Sequence, residues 1–324
     1  MRALALGAAL SALLEATGCT SLASRDLATV LVSDAAERPA GFLGLPLASG
    51  QIVVSESGGA LSLFVTLAAE EFSPFVHAGV LALEGGEPWV YEAVGTLWPS
   101  FGQPPTAAIG GAVRRVSLAS LIQRQQFVAI FDPAEGVDAA RVAAWARAQY
   151  EAGTRFDPYF DPEDDRFYCT EFVAAALAAG GAPPVATTRL RRNPSLEVVL
   201  AWLRVRAREI VLAKDLVADA RPVATLSLHR TPAQAALYFA LKRELHARFT
   251  DDQKLGNVFL WDGLSAALRD GVEHYLKRGL GLFEGPEPPD EATARAAASA
   301  LARQMFGPAE GERGAGASAS MAAP

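Results

Sequence analysis

Two apolar, β-branched runs joined by a glycine-containing link constrain the fold of this chain most strongly. Residues 73–84 read SPFVHAGVLALE, residues 88–95 read PWVYEAVG, and GGE at 85–87 connects them. Two such runs separated by a short glycine link are typical of a β-hairpin. The sequence therefore predicts two antiparallel strands in this region. Further strands are predicted at 49–57, 110–121, 126–133 and 222–228.

Helical patterns surround these strands. Residues 136–153 carry apolar side chains at helical spacing behind Asp138, which suits the N-cap position. The run that follows Cys169 has the same spacing and stops at Gly180 and Gly181. Residues 60–69 form a short apolar helix or a buried segment. Longer helical patterns lie at 193–210, 231–249 and 258–280, and a short helix is predicted at 290–306. The sequence thus predicts an α+β fold.

The chain is long enough for one large domain or two modest ones. It has 324 residues, of which 51% are hydrophobic and 20% charged, and this composition supports a sizeable core. We predict a main domain at 45–228, a helical extension at 229–306, and a disordered tail rich in Pro, Ala and Gly at 307–324. The formal charge is −7 and the cluster Arg189, Arg191, Arg192 is short. Nucleic acid is therefore excluded as a partner.

The first 19 residues have the layout of an export signal. Arg2 precedes an apolar run rich in Ala and Leu, and small residues lead to Cys19. Residues 16–19, Ala-Thr-Gly-Cys, resemble a bacterial lipoprotein signal, which implies lipid on Cys19, a membrane anchor, and a periplasmic position in the cell envelope. An ordinary signal peptide and a simple first helix are the alternatives. No other stretch reaches the roughly 18 apolar residues that a membrane-spanning helix needs.

Cys169 is the second of only two cysteines and stands at or just before a predicted helix start. Free backbone N–H groups and the helix dipole favour a thiolate at such a position. If Cys19 carries lipid, Cys169 has no disulfide partner and is a free thiol. The alternative is a buried cysteine that packs as a small apolar residue.

A base for this thiol has to come from four histidines. His77 interrupts an apolar strand, where its ring nitrogens need partners, and Glu92 stands in the next strand, where a carboxylate is costly unless it is paired. Cross-strand proximity would pair them. A satisfied core histidine and an exposed carboxylate are the alternatives. The other histidines lie beside charged residues and are predicted to be solvated: His229, His246 and His274.

The order HAGV, VYEA and FDPYFDPEDDRFYCTEFV resembles the permuted papain-like amidases of the NlpC superfamily, YiiX/YaeF type, over residues 45–228. Their architecture is similar to that of lecithin retinol acyltransferase. The resemblance implies a circularly permuted papain-like fold, with an antiparallel sheet packed on helices. It also implies Cys169 as nucleophile, His77 as base and then acid, and Glu92 as orienter of the imidazole. A first-turn acid, Glu171, either stabilises the helix start or touches substrate.

The implied chemistry is acyl transfer through a thioester, by an exported hydrolase or acyltransferase that acts on an amide or ester bond. We slightly favour a lipid-type acyl or N-acyl substrate, because residues 60–69 and several aromatic side chains suit an acyl chain, although they suit a protein core equally well. These aromatic residues are Trp89, Trp98, Phe101, Tyr159, Phe160 and Phe167. A cell-wall peptide amidase or endopeptidase is the alternative enzyme.

Two readings from other classes stay open. The first is an inactive envelope scaffold lipoprotein, in which the helical extension binds a partner. The second is a zinc site formed by His77, Glu92 and Cys169, although no close-spaced ligand pair such as CxxC or HExxH is present. We therefore expect no metal and no cofactor, and the sequence leaves the oligomeric state open.

Overall fold

The computed structural model describes residues 28–32, 44–96, 110–161, 164–251, 255–262, 266–283 and 287–309. In chain order its strands are β1 (Ala28–Val32), β2 (Ile52–Glu56), β3 (His77–Glu84), β4 (Glu87–Thr96), β5 (Gly110–Ser117), β6 (Phe127–Asp132), β7 (Thr188–Arg189), β8 (Glu209–Ile210), β9 (Arg221–Ser227), β10 (Phe259–Trp261) and β11 (Ala266–Leu268). Seven of them form one antiparallel sheet in the order β1-β9-β6-β2-β3-β4-β5. This sheet and the helices against it confirm the predicted fold class.

Helices cover the sheet and continue beyond it. They are α1 (Gly59–Ala68), α2 (Leu118–Arg124), α3 (Ala139–Glu151), α4 (Cys169–Ala179), α5 (Pro194–Trp202), α6 (Ala213–Leu216), α7 (Pro232–Asp251), α8 (Asp270–Gly279) and α9 (Glu291–Phe306). Asp138 Oδ1 accepts a hydrogen bond from the N–H of Arg141 at 3.1 Å and so caps α3. The Ser117 hydroxyl caps α2, so the strand predicted to reach residue 121 ends at Ser117.

Both faces of the sheet are covered, which explains why β2 is buried along its whole length. On one face Val53 belongs to a core cluster with Leu121 of α2. On the other face Ile52 and Val54 belong to a larger cluster with Phe172 of α4. A strand covered on both sides can be apolar at consecutive positions. The run Ile-Val-Val therefore packs in both directions.

The predicted hairpin is present as β3 and β4. Gly85 and Gly86 form its turn with φ angles of 61° and 88°, a region that glycine adopts without steric cost. Glu84 faces Glu87 across the turn. This register fixes where every later side chain of the two strands lies, including the polar residues of the site described below.

The helix predicted over 193–210 is wrong in its second half. Asn193 caps the start as expected, with its Oδ1 2.9 Å from the N–H of Leu196. However, α5 ends at Trp202, and the φ of 59° at Arg204 turns the chain away. Residues 209–210 then pair with β7. The apolar spacing misled because the later apolar residues are buried without being helical.

The helix predicted over 258–280 is also wrong in its first half. A hairpin of β10 and β11 comes first, and α8 begins only at Asp270. Phe259 is buried whereas the next residue, Leu260, is exposed, which is the alternation of a strand. Aromatic residues such as Phe259 and Trp261 favour strands over helices.

The C-terminal helices are present, and α7 is fixed to the sheet by a buried ion pair. Lys242 Nζ lies 2.6 Å from Oε2 of Glu56 in β2, and both side chains are almost wholly buried. Tyr238 donates a hydrogen bond to Oε1 of the same carboxylate at 2.7 Å. Lys242 also donates to the carbonyl oxygen of Pro74. The domain limits drawn at residues 228 and 229 stay a prediction.

The predicted signal at 1–19, the predicted lipid site Cys19, and residues 310–324 of the predicted tail lie outside the described residues. Within the part of the chain that the structure describes, no helix has both the length and the apolar character required to cross a membrane.

Candidate active site

The loop before the cysteine helix is closed by its backbone and by one buried carboxylate. The N–H of Asp157 donates to the carbonyl of Phe167 at 3.0 Å, and the N–H of Phe167 donates to the carbonyl of Arg155 at 3.2 Å. The Asp157 carboxylate accepts hydrogen bonds from the N–H groups of Tyr159 and Asp161. These bonds fix the FDPYF segment, which precedes α4.

Cys169 is the first residue of α4, as predicted. Tyr168 precedes it in an extended conformation, and its hydroxyl accepts a hydrogen bond from the N–H of Val211 at 3.1 Å. Thr170 donates from its hydroxyl to the carbonyl of Val211 at 2.6 Å. The residues on both sides of the cysteine are therefore anchored to one residue of a neighbouring segment, and this holds the thiol in place.

The structure brings the three predicted site residues together. The sulfur of Cys169 lies 3.8 Å from the carbonyl oxygen of Val76, the residue before His77. His77 lines the same cleft as Cys169, and its Nε2 lies 2.6 Å from Oε2 of Glu92. Because Nε2 is paired with Glu92, Nδ1 is the nitrogen left for the thiol. The imidazole thus connects thiol and carboxylate, as a nucleophile, a base and its orienter require.

Arg114 belongs to this site, although sequence reasoning missed it. It lies directly opposite Glu92 in the register of β4 and β5. Its Nε is 2.8 Å and its Nη2 2.7 Å from Oε1 of Glu92. The Glu92 side chain is only 1% exposed. Both oxygens of this buried carboxylate are paired, Oε2 with His77 and Oε1 with Arg114. The strand pairing would have revealed Arg114, but the sequence does not give the register of β5.

The charges of the site support one another. Burial lowers the pKa of His77, but the charge and hydrogen bond of Cys169, together with those of Glu92, outweigh burial and raise that pKa to about 10. Burial raises the pKa of Glu92, whereas hydrogen bonds and charges from His77 and Arg114 bring it down to about 2. At neutral pH the ring is therefore an imidazolium.

Replacing Glu92 by glutamine should lower the pKa of His77 from about 10 towards its ordinary value of 6.5, because the carboxylate charge is lost. In the parent chain the raised pKa makes His77 stabilise the fold below pH 6.5, and this stabilisation is lost as pH rises to about 10. NMR titration of the His77 ring checks the shift. Glu87→Gln, in the exposed hairpin turn, is the control. An unchanged His77 titration in Glu92→Gln would contradict the pairing.

Gly79 leaves the space that the site needs between β3 and β4. A Cβ atom there would lie 2.6 Å from Cγ1 of Val90, 2.8 Å from the carbonyl oxygen of Tyr91 and 3.4 Å from Cβ of Glu92. Ala78, the residue before Gly79 in β3, is buried in the core cluster on the sheet face shared with α4. A glycine at residue 79 is therefore required by packing.

Gly79→Ala should lower the free energy of unfolding by about 1–3 kcal/mol, because the added methyl group overpacks a rigid backbone. Denaturant unfolding monitored by circular dichroism measures this change. The control is Gly271→Ala in the first turn of α8, where a Cβ would meet no atom within 4 Å. That control should be neutral or slightly stabilising. Equal effects of the two substitutions would show that residue 79 is not tightly packed.

The site opens into a cleft of about 240 Å³. One wall is α1, and another is the segment after β8. The lining side chains near the thiol are mostly apolar: Leu61, Val65, Phe75, Phe156, Phe160, Ile210 and Leu212. Among the aromatic residues considered for an acyl chain, Phe160 lines the cleft, and Trp98 and Phe101 lie outside the described residues. The cleft offers an apolar surface beside a polar reaction centre.

Glu171 acts on the helix start. Its carboxylate accepts a hydrogen bond from the N–H of Tyr168 at 3.4 Å, which favours the helix-stabilising alternative. Burial raises the pKa of Glu171 to about 7, with smaller contributions from the charges of Asp157 and Asp164. Other acids of the preceding loop are in ion pairs: Asp164 with Arg166 and Asp161 with Arg206.

The prediction that His246 is solvated is wrong. It is buried, and its Nε2 donates to the carbonyl oxygen of Ala69 at 3.1 Å, because this face of α7 packs against the end of α1. The His229 ring is hydrogen-bonded to the carbonyl of Gln123, and His274 is exposed. Within the described ranges, no group of three His, Cys, Asp or Glu side chains is arranged to hold a metal ion.

In comparisons with known proteins, residues 46–221 match the family described as permuted papain-like amidase enzymes, YaeF/YiiX, C92. Among solved structures, the metalloprotein yiiX from Escherichia coli O157:H7 is similar, at 22% identity and a TM-score of 0.42, over 55% of this chain and 95% of that chain. No curated protein matches the chain. The family match covers more than half of the chain and includes His77, Glu92 and Cys169.

Proposed function

The chain belongs to the permuted papain-like amidase family, and from this premise we propose that it is a thiol hydrolase or acyltransferase acting on an amide or ester bond of a lipid-type acyl or N-acyl substrate. The observation that supports the proposal is the placement of Cys169 against the strand residue before His77, with His77 hydrogen-bonded to Glu92, at the wall of an apolar cleft. In this proposal Cys169 is the nucleophile, His77 the general acid and base, and Glu92 the orienter.

The first half of the reaction forms a thioester. The Cys169 thiolate attacks the carbonyl carbon, and the carbonyl oxygen becomes an oxyanion. The backbone N–H of Cys169 is the first of α4 and is not used by the helix's own hydrogen bonds, so it can donate to that oxyanion. The imidazolium of His77 then gives its Nδ1 proton to the leaving nitrogen or oxygen. The substrate bond breaks, and neutral imidazole remains.

The second half resolves the thioester. Neutral His77 accepts a proton from water, or from an acceptor amine, while that nucleophile attacks the thioester carbonyl. The carbon–sulfur bond breaks, and the thiolate returns beside the imidazolium. Throughout, Glu92 holds Nε2 of the ring at 2.6 Å and so keeps Nδ1 directed to the sulfur. Arg114 keeps the carboxylate ionised.

The apolar lining supports the choice of an acyl substrate. Leu61 and Val65 lie one turn apart on α1, and both line the cleft with Phe160. An acyl chain placed there would lose contact with water, which favours binding by about 0.8 kcal/mol per methylene group. Short polar peptides would gain little from these contacts.

Intact-protein mass spectrometry tests the proposal. The protein is incubated with activated esters and N-acyl amides that carry either acetyl or long acyl chains, and with a cell-wall stem-peptide amide. We expect a thioester adduct on Cys169 that forms faster with long chains and is absent in Cys169→Ala. Val65→Asp should slow labelling by long chains but not by acetyl donors.

The same experiment separates the rivals. Preferred turnover of the stem-peptide amide would favour the cell-wall amidase. If no donor modifies Cys169, and iodoacetamide reacts with it only after denaturation, the thiol is a packed core residue and the scaffold reading stands.

Export and lipid attachment at Cys19 are proposals supported by the N-terminal sequence alone. They would place the protein in the cell envelope, anchored to a membrane. The mass of the mature N-terminal peptide from a membrane fraction tests them. A diacylglyceryl group on Cys19 is expected, and an unmodified Met1 in that fraction would contradict the proposal.

A further inference from the structure

The outward side of α5 carries apolar side chains that no described residue covers. Val198 is 70% exposed and Trp202 is 38% exposed. They lie four residues apart, so they share one helix face. The ring of Trp202 lies 6.1 Å from that of Trp261 in β10, and this contact extends the apolar surface beyond the helix. Exposed large apolar groups in one place commonly mark an interaction site.

Arginines flank α5 in the sequence. The sequence places them on both sides of α5: Arg189, Arg191, Arg192, Arg204, Arg206 and Arg208. The structure joins the two groups, because β7 pairs with β8 and the N–H of Leu190 bonds to the carbonyl of Arg208 at 2.9 Å. Arg189 and Arg206 are more than 70% exposed.

The positive charge of this region is in excess. Residues 189–209 contain the six arginines and two carboxylates, Glu197 and Glu209, whereas the whole chain has a formal charge of −7. Arg192 pairs with Glu197 at 2.9 Å and Arg189 lies 3.7 Å from Glu209. Arg206 also pairs with Asp161 of the loop before α4, at 2.6 Å, so three positive charges remain in excess around this segment.

The segments that carry the basic and apolar surface are connected to, or packed on, segments that line the active-site cleft. The chain that leaves Arg208 runs directly into Ile210–Ala213, which line the cleft. On the other side, Trp261 packs on Phe64 of α1 at a ring distance of 6.4 Å, and Leu61 of the same helix lines the cleft. The surface and the cleft therefore lie next to each other.

We propose that α5 and its flanking arginines form a docking surface for an anionic lipid membrane. Val198 and Trp202 enter the boundary between head groups and acyl chains, where tryptophan is enriched. The arginines contact lipid phosphates, whose charge is complementary. Docking sets the adjoining cleft near the lipid. This inference concerns binding, so it does not depend on which bond the thiol cleaves.

Vesicle flotation tests the surface with the full chain carrying Cys19→Ser, so that no lipid can be attached. We expect binding to vesicles of phosphatidylglycerol and phosphatidylcholine, weaker binding to phosphatidylcholine alone, and a loss of binding as salt is raised. Arg189→Glu combined with Arg204→Glu should weaken binding to the anionic vesicles at least about tenfold. Val198→Asp combined with Trp202→Ala should weaken it similarly.

Matched controls carry the same chemistry elsewhere. Leu83→Asp changes an exposed leucine of the β3–β4 hairpin, and Arg141→Glu changes an exposed arginine of α3. Both should bind like the parent, as should Cys169→Ala, which loses only the nucleophile. Unchanged binding in both α5 double variants, with circular dichroism like the parent, would overturn the proposal. So would binding of polyglutamate or single-stranded nucleic acid, but not vesicles, through these arginines.

Discussion

Replacing His77 by alanine should slow acylation of Cys169 at neutral pH by at least about a hundredfold, which is the usual contribution of a positioned acid and base. The variant loses the general base of the proposed mechanism and the Nδ1 proton that the leaving group needs. The time course of the thioester adduct, followed by intact mass, measures the effect. Because Glu92 keeps Arg114 as a partner, the fold should survive.

His229→Ala is the matched control, since that ring bonds to a backbone carbonyl outside the site. It should acylate like the parent. His77→Gln offers a second test, because it keeps polar atoms near Glu92 but cannot act as a base at neutral pH. Acylation of either His77 variant at the parent's rate would show that the thiol reacts without the imidazole.

Replacing Lys242 by methionine should lower the free energy of unfolding by about 3–5 kcal/mol, because it leaves the buried Glu56 carboxylate without its counter-ion. Tyr238 would still donate one hydrogen bond to that carboxylate, but no positive charge would face it. Urea unfolding followed by circular dichroism gives the number.

The double variant Glu56→Gln, Lys242→Met should recover much of this loss, since no unpaired charge stays buried. Lys277→Met, at an exposed position of α8, is the control for the substitution itself and should change stability by less than about 0.5 kcal/mol. A cost below about 1 kcal/mol for Lys242→Met would mean that water reaches Glu56.

Local signals in the sequence predicted the elements that place the site. The glycine pair at 85–86 and its apolar flanks gave the hairpin, Asp138 gave the start of α3, and the glycines after residue 179 gave the end of α4. Turns and helix caps are determined by a few neighbouring residues, so they can be predicted from the sequence. They were sufficient to place His77 and Glu92 on adjacent strands.

The predictions that failed concern residues whose positions depend on contacts between distant segments of the chain. Arg114 became part of the site only through the register of β4 with β5, which no local pattern encodes. His246 was misjudged because its charged neighbours suggested solvent, whereas the face of α7 that it occupies is covered by the end of α1. The second half of residues 193–210 shows the same limit. Its apolar residues are spaced as in a helix because they are buried, but the chain there is not helical.

The positions of the site residues along the chain also determine the order in which the site assembles. His77 and Glu92 are 15 residues apart, so the hairpin can bring them together early in folding, whereas Cys169 contacts Val76 across 93 residues. An incompletely folded chain therefore carries an ordinary cysteine that is not yet paired with an imidazolium. In the proposed mechanism, only the native protein therefore holds the nucleophile next to its base. We therefore expect the alkylation rate of Cys169 to show whether the chain has folded completely.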